Sequence, residues 1–489
     1  MTSIRFLVKP LAAVALAAAA AGAQADAVIQ ITSRDPAGIG FNDPTPVAPV
    51  GGNTGTTLGQ QRLNVYRYVA DIWQKAITSD VTITVNAGWE ALTCTSTSAV
   101  LGSASAWNIW YGFPGGVANT WYPQALANKL SHMNLSDAYP PDVSDEDRVD
   151  IRTQFNINLG NTGCLDGTPF YLGLDGNAGA KVNFVETLLH ELGHGLGFSV
   201  LTVNTPTGYR INAEGTAYTP DGLPSIWEGF MYDNTIGKTW LTMTAAERAF
   251  SAINPLKLGW NGPNAVAGAA VTLGNVPVIK ITTPAPGYAG NYDYGTAAFG
   301  PAVTTPSDFG ALSSVTGLGC DPFDAATAAA VKGRVAVIDR GTCGFAVKTK
   351  NAQNAGAIGV IIVNNAAGAA PGLGGADPTI TIPTVSVSQA DGVKLRAGII
   401  AATKYGSRTK PGSLSGSFGI DTTRKAGADS VGRPLLYTPN PLVSGSSVSH
   451  WDVSAFPNLL MEPNINADLT TTLVPPKDLT VPLLKDIGW

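Results

Sequence analysis

Charged residues are scarce in this chain. Asp, Glu, Lys and Arg make up 13% of its 489 residues, about half the usual share. The net charge is −5 and there is no basic run, so nucleic-acid binding and adhesion to anionic membranes lack their electrostatic basis. Cysteine and histidine number four each, and no CxxC pair occurs, which leaves a thiolate-rich metal site without ligands. Beyond the first residues no apolar stretch approaches the ~20 residues that a membrane-spanning helix needs. What is plentiful is turn-forming: 56 Gly and 33 Pro with no Gly-X-Y period, which excludes collagen. With 44% hydrophobic residues the chain has ample material for real cores, and its length suits about three domains.

The N-terminus reads as a secretory signal. Arg5 and Lys9 precede a short Ala-rich apolar run over 11–22, and Ala23-Gln24-Ala25 supplies small residues for cleavage near Ala25. The mature product is therefore expected to be secreted, extracellular or periplasmic, without a stable membrane anchor. In an oxidising compartment Cys94, Cys164, Cys320 and Cys343 suit disulfides; of three pairings, locality favours Cys94–Cys164 with Cys320–Cys343.

Residues 59–78 have the period of an amphipathic helix, with Val65, Val69, Ile72, Trp73 and Ala76 on one face. Val81, Ile83 and Val85 alternate as a strand, 104–111 reads as another, and 121–130 as a short helix. The Pro- and acid-rich stretch 139–148 reads as a solvated turn; calcium there is the lesser reading and has no other support. Further on, 334–339, 358–363 and 382–387 have the apolar character of buried strands, with a helix over 345–355 closed by Gly356. The stretch VAVIDRGTCGFAVKTKNAQNAGAIGVIIVNN and the later IPTVSVSQADGVKL resemble the protease-associated (PA) domain. That resemblance implies a non-catalytic α/β module of the kind inserted in secreted and membrane proteases.

The chemistry concentrates at 190–194, His-Glu-Leu-Gly-His. On a helix, positions i and i+4 lie one above the other, so His190 and His194 can share one zinc ion. Glu191 projects about 100° from His190, beside the ion, where it can act as a general base. Asn183 is placed to cap this helix, with Glu186 completing a capping-box pattern. Val185, Leu188, Leu189, Leu192 and Leu196 form a stripe nearly opposite the histidines, which are therefore expected to face away from the core. A catalytic zinc needs a third protein ligand. Gly197 suits a sharp turn out of the helix, but Val200 stands where the HExxHxxGxxH pattern carries its third His. His132 lies in a polar stretch that reads as surface. Glu228 and Glu247 are the candidates if the third ligand is a glutamate on a later helix.

His450, in SHWDVSAFPNLLMEP, has the richer setting. Together with HELGHGLGF it resembles the leishmanolysin-like branch of the metzincin zinc proteases, in which a long insertion separates the HExxH helix from the third His and the Met-turn. The resemblance implies that His450 is the third ligand, that Met461 lies in the structural Met-turn, and that LTVPLLKDIGW is a closing helix. It also implies an α+β core, a twisted sheet with the active-site helix, interrupted by the PA-like domain. The expected organisation is a signal peptide over 1–25, the core's first part over 26–262, the insert over 263–424 and the core's second part over 425–489. The expected activity is that of a secreted zinc metalloendopeptidase acting on protein or peptide substrates. A zinc-containing binding protein that holds a protein ligand through the PA-like domain is the alternative. The interval between His194 and His450 exceeds that of leishmanolysin, and no inhibitory-cysteine pro-region is present to explain latency.

Overall fold

The computed structural model describes residues 26–366, 370–375, 377–406, 412–466 and 468–489. The signal segment 1–25 lies outside the described residues. The fold is mixed α/β, built on two main sheets with smaller two- and three-stranded ones beside them. The first has four strands: Ile29–Ser33, Ile83–Glu90 and Ile151–Asn156 run parallel, and Gly102–Ala106 closes one edge antiparallel to Ile151–Asn156. Val85, Ala87, Ile151 and Phe155 are buried in this sheet.

Helix α1 (Leu58–Ala76) begins where the Thr57 side chain accepts from Gln60 N–H, and it buries Val65, Tyr66, Val69, Ala70 and Trp73. Tyr66 also bonds Thr153 of the sheet through its hydroxyl at 2.7 Å. Helix α2 (Gln124–Ser131) follows the edge strand. The single strand expected over 104–111 is broken: pairing with Ile151–Asn156 ends at Ala106, and Ile109–Trp110 instead pairs with Tyr122–Pro123. Alternating apolar residues cannot show that the partner strand has run out. In the stretch 139–148, Arg148 donates to the carbonyls of Ser136, Tyr139 and Pro140, and Asp147 pairs with Arg152 at 3.3 Å. No group of three carboxylates converges there to hold calcium among the described residues.

Helix α3 (Phe184–Gly195) lies against the sheet, and α4 (Ala245–Ser251) follows in a turn-rich stretch. Helix α5 (Pro263–Thr272) was expected to open the insert, but Ala265, Ala269 and Leu273 share the apolar core of α1 and α3. The cause lies at the far end of the chain. Asp486, on the last helix α9 (Thr480–Ile487), accepts from Asn264 N–H, Ala265 N–H and Trp260 Nε1, so it caps α5 from outside.

The second sheet runs from Asn275 to Lys425. It has eight strands, in the order Gly290–Asp293, Asn275–Thr282, Ser415–Lys425, Ser307–Ser314, Val335–Asp339, Gly359–Val363, Thr384–Val387 and Gly295–Thr296. Its central strands alternate between two cores. Val335, Val337, Ile361 and Val363 meet Leu395 and Ala402 of α8 (Gln389–Ala402), while Ala336, Ile338, Val360 and Ile362 meet Val331 of α6 (Ala325–Val331) and Ala352 of α7 (Phe345–Asn354). Helices on both faces explain why these strands read as continuous apolar runs. From 426 the chain returns to the first core, bringing Leu436, Trp451, Leu459, Leu460, Met461 and α9 (Thr480–Ile487) against α3. No described helix is long and apolar enough to cross a membrane.

The second sheet leaves and re-enters at one point. Asn275 and Lys425 are register partners, Ala426 N–H donates to the Gly274 carbonyl at 2.9 Å, and Lys425 Nζ to that of Leu273 at 2.8 Å. Partners in an antiparallel pair have Cα atoms about 5 Å apart, so a short linker spans them. Deleting 276–424 is expected to leave a folded unit with a single cooperative thermal transition by circular dichroism. A non-cooperative melt would show that the first core needs the second.

Candidate metal centre

Helix α3 starts as its sequence suggests. Asn183 Oδ1 accepts from Val185 N–H at 3.1 Å, and no reciprocal box with Glu186 forms. At the other end Phe198 N–H donates to the Gly193 carbonyl and Gly197 N–H to that of His194. Gly197 has φ +117°, and a Cβ there would stand 2.9 Å from Pro123 Cγ, so this turn requires glycine.

The three histidines meet. His194 Nε2 lies 3.0 Å from His190 Nε2 and 3.2 Å from His450 Nε2, although His450 is 256 positions away. Each Nδ1 faces a backbone carbonyl: Leu460 at 2.7 Å for His190, Phe198 at 2.7 Å for His194, and Ser446 at 2.8 Å for His450. A carbonyl only accepts, so every Nδ1 carries the hydrogen and every neutral ring turns an Nε2 lone pair inward. Burial pushes His190 down to about 4 and His450 to about 3; His194 falls well below its ordinary value through burial and the adjacent imidazoles. The rings are therefore neutral at pH 7, the form that binds metal. Three lone pairs converging at van der Waals distance repel unless a cation stands between them. Nitrogens about 2.05 Å from one tetrahedral ion are about 3.3 Å apart, and the observed spacing is close to that. The donor set fits zinc.

The histidines do not face away from the core. His190, His194 and His450 are 6%, 8% and 5% exposed, because the returning segment 446–461 covers the polar face of α3. Met461 lies directly beneath: a Cβ on Gly193 would meet its sulfur at 2.7 Å, and its carbonyl accepts from Trp451 N–H at 2.8 Å. Gly193→Ala is expected to cost about 1–3 kcal/mol by overpacking, read as a lower melting temperature with weaker zinc retention. A neutral result would show that Met461 can move aside.

Glu191 follows His190 on α3 and is buried. Burial pushes its carboxyl up to about 8, against the pull of the Ala104 N–H on the edge strand. Register places Ala104 opposite Thr153, while Trp107 N–H and the Leu101 carbonyl bond across to the neighbouring strand. The alternation of an antiparallel pair therefore turns the backbone groups of Gly102, Ala104 and Ala106 outward.

The glutamates weighed as third ligands have other work. Glu228 is buried on Arg210 at 2.7 Å and accepts from Ser225 N–H; Glu247 caps α4 at Thr244 and pairs with Lys238. His132 is exposed and bonds Asp80 at 2.7 Å. Val200, where a third histidine could have stood, instead donates its N–H to Ser449 Oγ at 3.2 Å, next to His450. Among the described residues His190, His194 and His450 are the only group of three suited to a metal. Sequence reasoning missed the supporting contacts of Ser449 and of the carbonyls of Phe198, Ser446 and Leu460. Backbone partners leave no trace in residue type. The pairings Cys94–Cys164 and Cys320–Cys343 are both formed.

Residues 298–395 match the PA domain family. The PA domain thus lies within the second sheet and contributes none of the three histidines. Among curated proteins, leucine aminopeptidase 2 of Arthroderma otae is 41% identical over 88 residues, 18% of this chain and 17% of that protein. The minor extracellular protease Vpr of Bacillus subtilis is 39% identical over 69 residues, 14% of this chain and 8% of that one. The chain spans less than about a quarter of the length of these curated relatives. Among solved structures, a zinc aminopeptidase from Bacillus subtilis matches with a TM-score of 0.20 at 22% identity, covering 33% of this chain and 36% of that one. A score that low carries no argument about the site.

Proposed function

We propose that this protein is a secreted zinc metalloendopeptidase of the leishmanolysin-like metzincin kind, with His190, His194 and His450 as zinc ligands and a PA domain inserted in its core. The observation that carries this reading is the convergence of three inward-facing Nε2 lone pairs beside one buried glutamate. Zinc bound there would polarise a peptide carbonyl and acidify an attacking water. The charge of a bound cation would hold the Glu191 carboxyl ionised, and Glu191 would then take the water's proton and return it to the leaving amine. The carbonyls of Leu460, Phe198 and Ser446 hold the rings in one tautomer, as hydrogen-bond partners of ligating histidines do in zinc sites generally. The outward backbone groups of Gly102–Ala106 offer an extended peptide a strand to pair with, next to Glu191.

The rival is a zinc-containing binding protein without hydrolysis. A buried carboxylate beside the cluster favours the enzyme, because a purely structural zinc clip has no use for it. A casein zymogram is expected to show clearing that a chelator abolishes and added zinc restores. Cleavage inside an N-terminally blocked peptide separates an endopeptidase from an aminopeptidase. Bound zinc with no cleavage of either substrate would decide for the binding protein.

A further inference from the structure

One end of the PA domain places a buried ammonium against a disulfide. Lys348 of α7 is fully buried; its Nζ donates to the Leu318 carbonyl at 2.5 Å and lies 3.7 Å from Cys320 Sγ. Thr342 Oγ1 lies 3.3 Å from the same sulfur. Among the described residues no hydrogen-bonding side chain reaches Cys343 Sγ, and no carboxylate lies within salt-bridge distance of Lys348. Asp339 acts on Lys348 only from farther away and is itself paired with Arg396 at 2.9 Å. A buried cation without a counter-charge is costly. A neutral disulfide offers it none, whereas a thiolate on Cys320 would.

We propose that Cys320–Cys343 is a thiol-exchange site, modified on Cys343 by a low-molecular-weight thiol. The thiolate attacks Cys343 Sγ and forms a mixed disulfide there. The Cys320–Cys343 bond breaks, and its electron pair leaves on Cys320 Sγ as a thiolate held by Lys348 and Thr342. No other oxidant or reductant is needed for that step. Its direction follows from the leaving group, since a thiol of lower pKa leaves faster and an adjacent lysine lowers a cysteine from about 8.5 to about 3.5–7.5. The N-terminus of α7, capped by Gly344, would favour a thiolate on Cys343 instead. That end faces solvent and is screened, while Lys348 is buried, so the lysine prevails. Access does not distinguish the two sulfurs, since both cysteines are half-buried with exposed neighbours, so the leaving group decides. Opening would release the turn 340–344 at the start of α7 from the loop that carries Cys320. This inference is independent of the peptidase reading.

The test is regiochemical and begins with the unaltered protein. The mature chain is treated with reduced glutathione, quenched with N-ethylmaleimide and mapped by mass spectrometry. Glutathione is expected on Cys343 and maleimide on Cys320, in roughly tenfold or greater excess over the reverse. Cys94–Cys164, with Cys164 buried, serves as the internal control and should stay closed. Lys348→Met should slow exchange roughly tenfold and bring the two adducts towards equal amounts. Thr342→Val alters an exposed side chain and should shift the ratio the same way by a smaller factor, which keeps the test open if Lys348→Met does not fold. Glutathione on Cys320, an even mixture in the unaltered protein, or an unchanged ratio in both variants would overturn the proposal.

Discussion

His450→Ala is expected to remove zinc and hydrolysis together. The imidazole supplies one of three converging nitrogens, and its Nε2 is 3.2 Å from that of His194. Zinc–nitrogen bonds are short, about 2.0–2.1 Å, so water entering the space left by the ring cannot restore the buried, oriented donor. Losing only a hydrogen-bond partner of a ligand typically costs 10–100-fold in metal affinity, and loss of a ligand should exceed roughly 100-fold. Zinc per chain should fall from about one to a trace after dialysis, with peptide hydrolysis falling in step. Three controls give the measurement its meaning. His132→Ala alters an exposed pair with Asp80 and should change neither quantity. Glu247→Gln weakens the cap of α4 and should leave zinc in place. Glu228→Gln breaks a buried pair with Arg210, so it should destabilise the fold by about 3–5 kcal/mol while the folded fraction keeps its zinc. Full zinc in His450→Ala, or zinc lost from folded Glu228→Gln or Glu247→Gln, would overturn the ligand assignment.

Glu191→Gln should separate binding from chemistry. The amide keeps the shape and nearly the same volume, so the three rings and their zinc should remain. It cannot take a proton from water, and hydrolysis should fall by roughly 10²–10⁴-fold. A second readout comes from the metal-free protein. Burial raises the Glu191 carboxyl from 4.5 to about 8, so the folded state favours its protonated form. That contribution is fully present below 4.5 and is lost as pH rises through about 8. Glu191→Gln should therefore gain stability relative to the unaltered chain as pH rises across this window. The gain should reach up to about 1.4 kcal/mol for every tenfold by which folding tightens the carboxyl's hold on its proton. Loss of zinc, or turnover near the original rate, would remove Glu191 from its role as base.

Local sequence located much of the molecule because the relevant forces act over a few residues. The periodicity of α1 placed it within two residues at each end, and Asn183 and Gly197 marked the start and the turn of α3. His190, Glu191 and His194 were legible as a unit, because helical spacing alone puts the two histidines on one face. The alternating strands from Val335 to Val387 were legible as buried because helices cover both faces of their sheet. Residue pattern did not by itself single out His450 from Glu228 and Glu247; a resemblance between motifs did.

Residue order alone was enough to specify the HExxH helix, the turn that ends it and the apolar strands, and a resemblance of motifs pointed to the PA domain. Packing decided which distant group completes the histidine cluster, how deeply that cluster is buried, and where the insert begins. An amphipathic stripe shows which face of α3 meets its own sheet, but it carries no information about a segment returning from 446–461 to cover the other. In the same way Pro263 reads as a boundary, yet Asp486 binds α5 to the first core from the far end of the chain. Periodicity and capping are encoded within one or two helical turns. A contact across 221 or 256 positions depends on the packing of everything between.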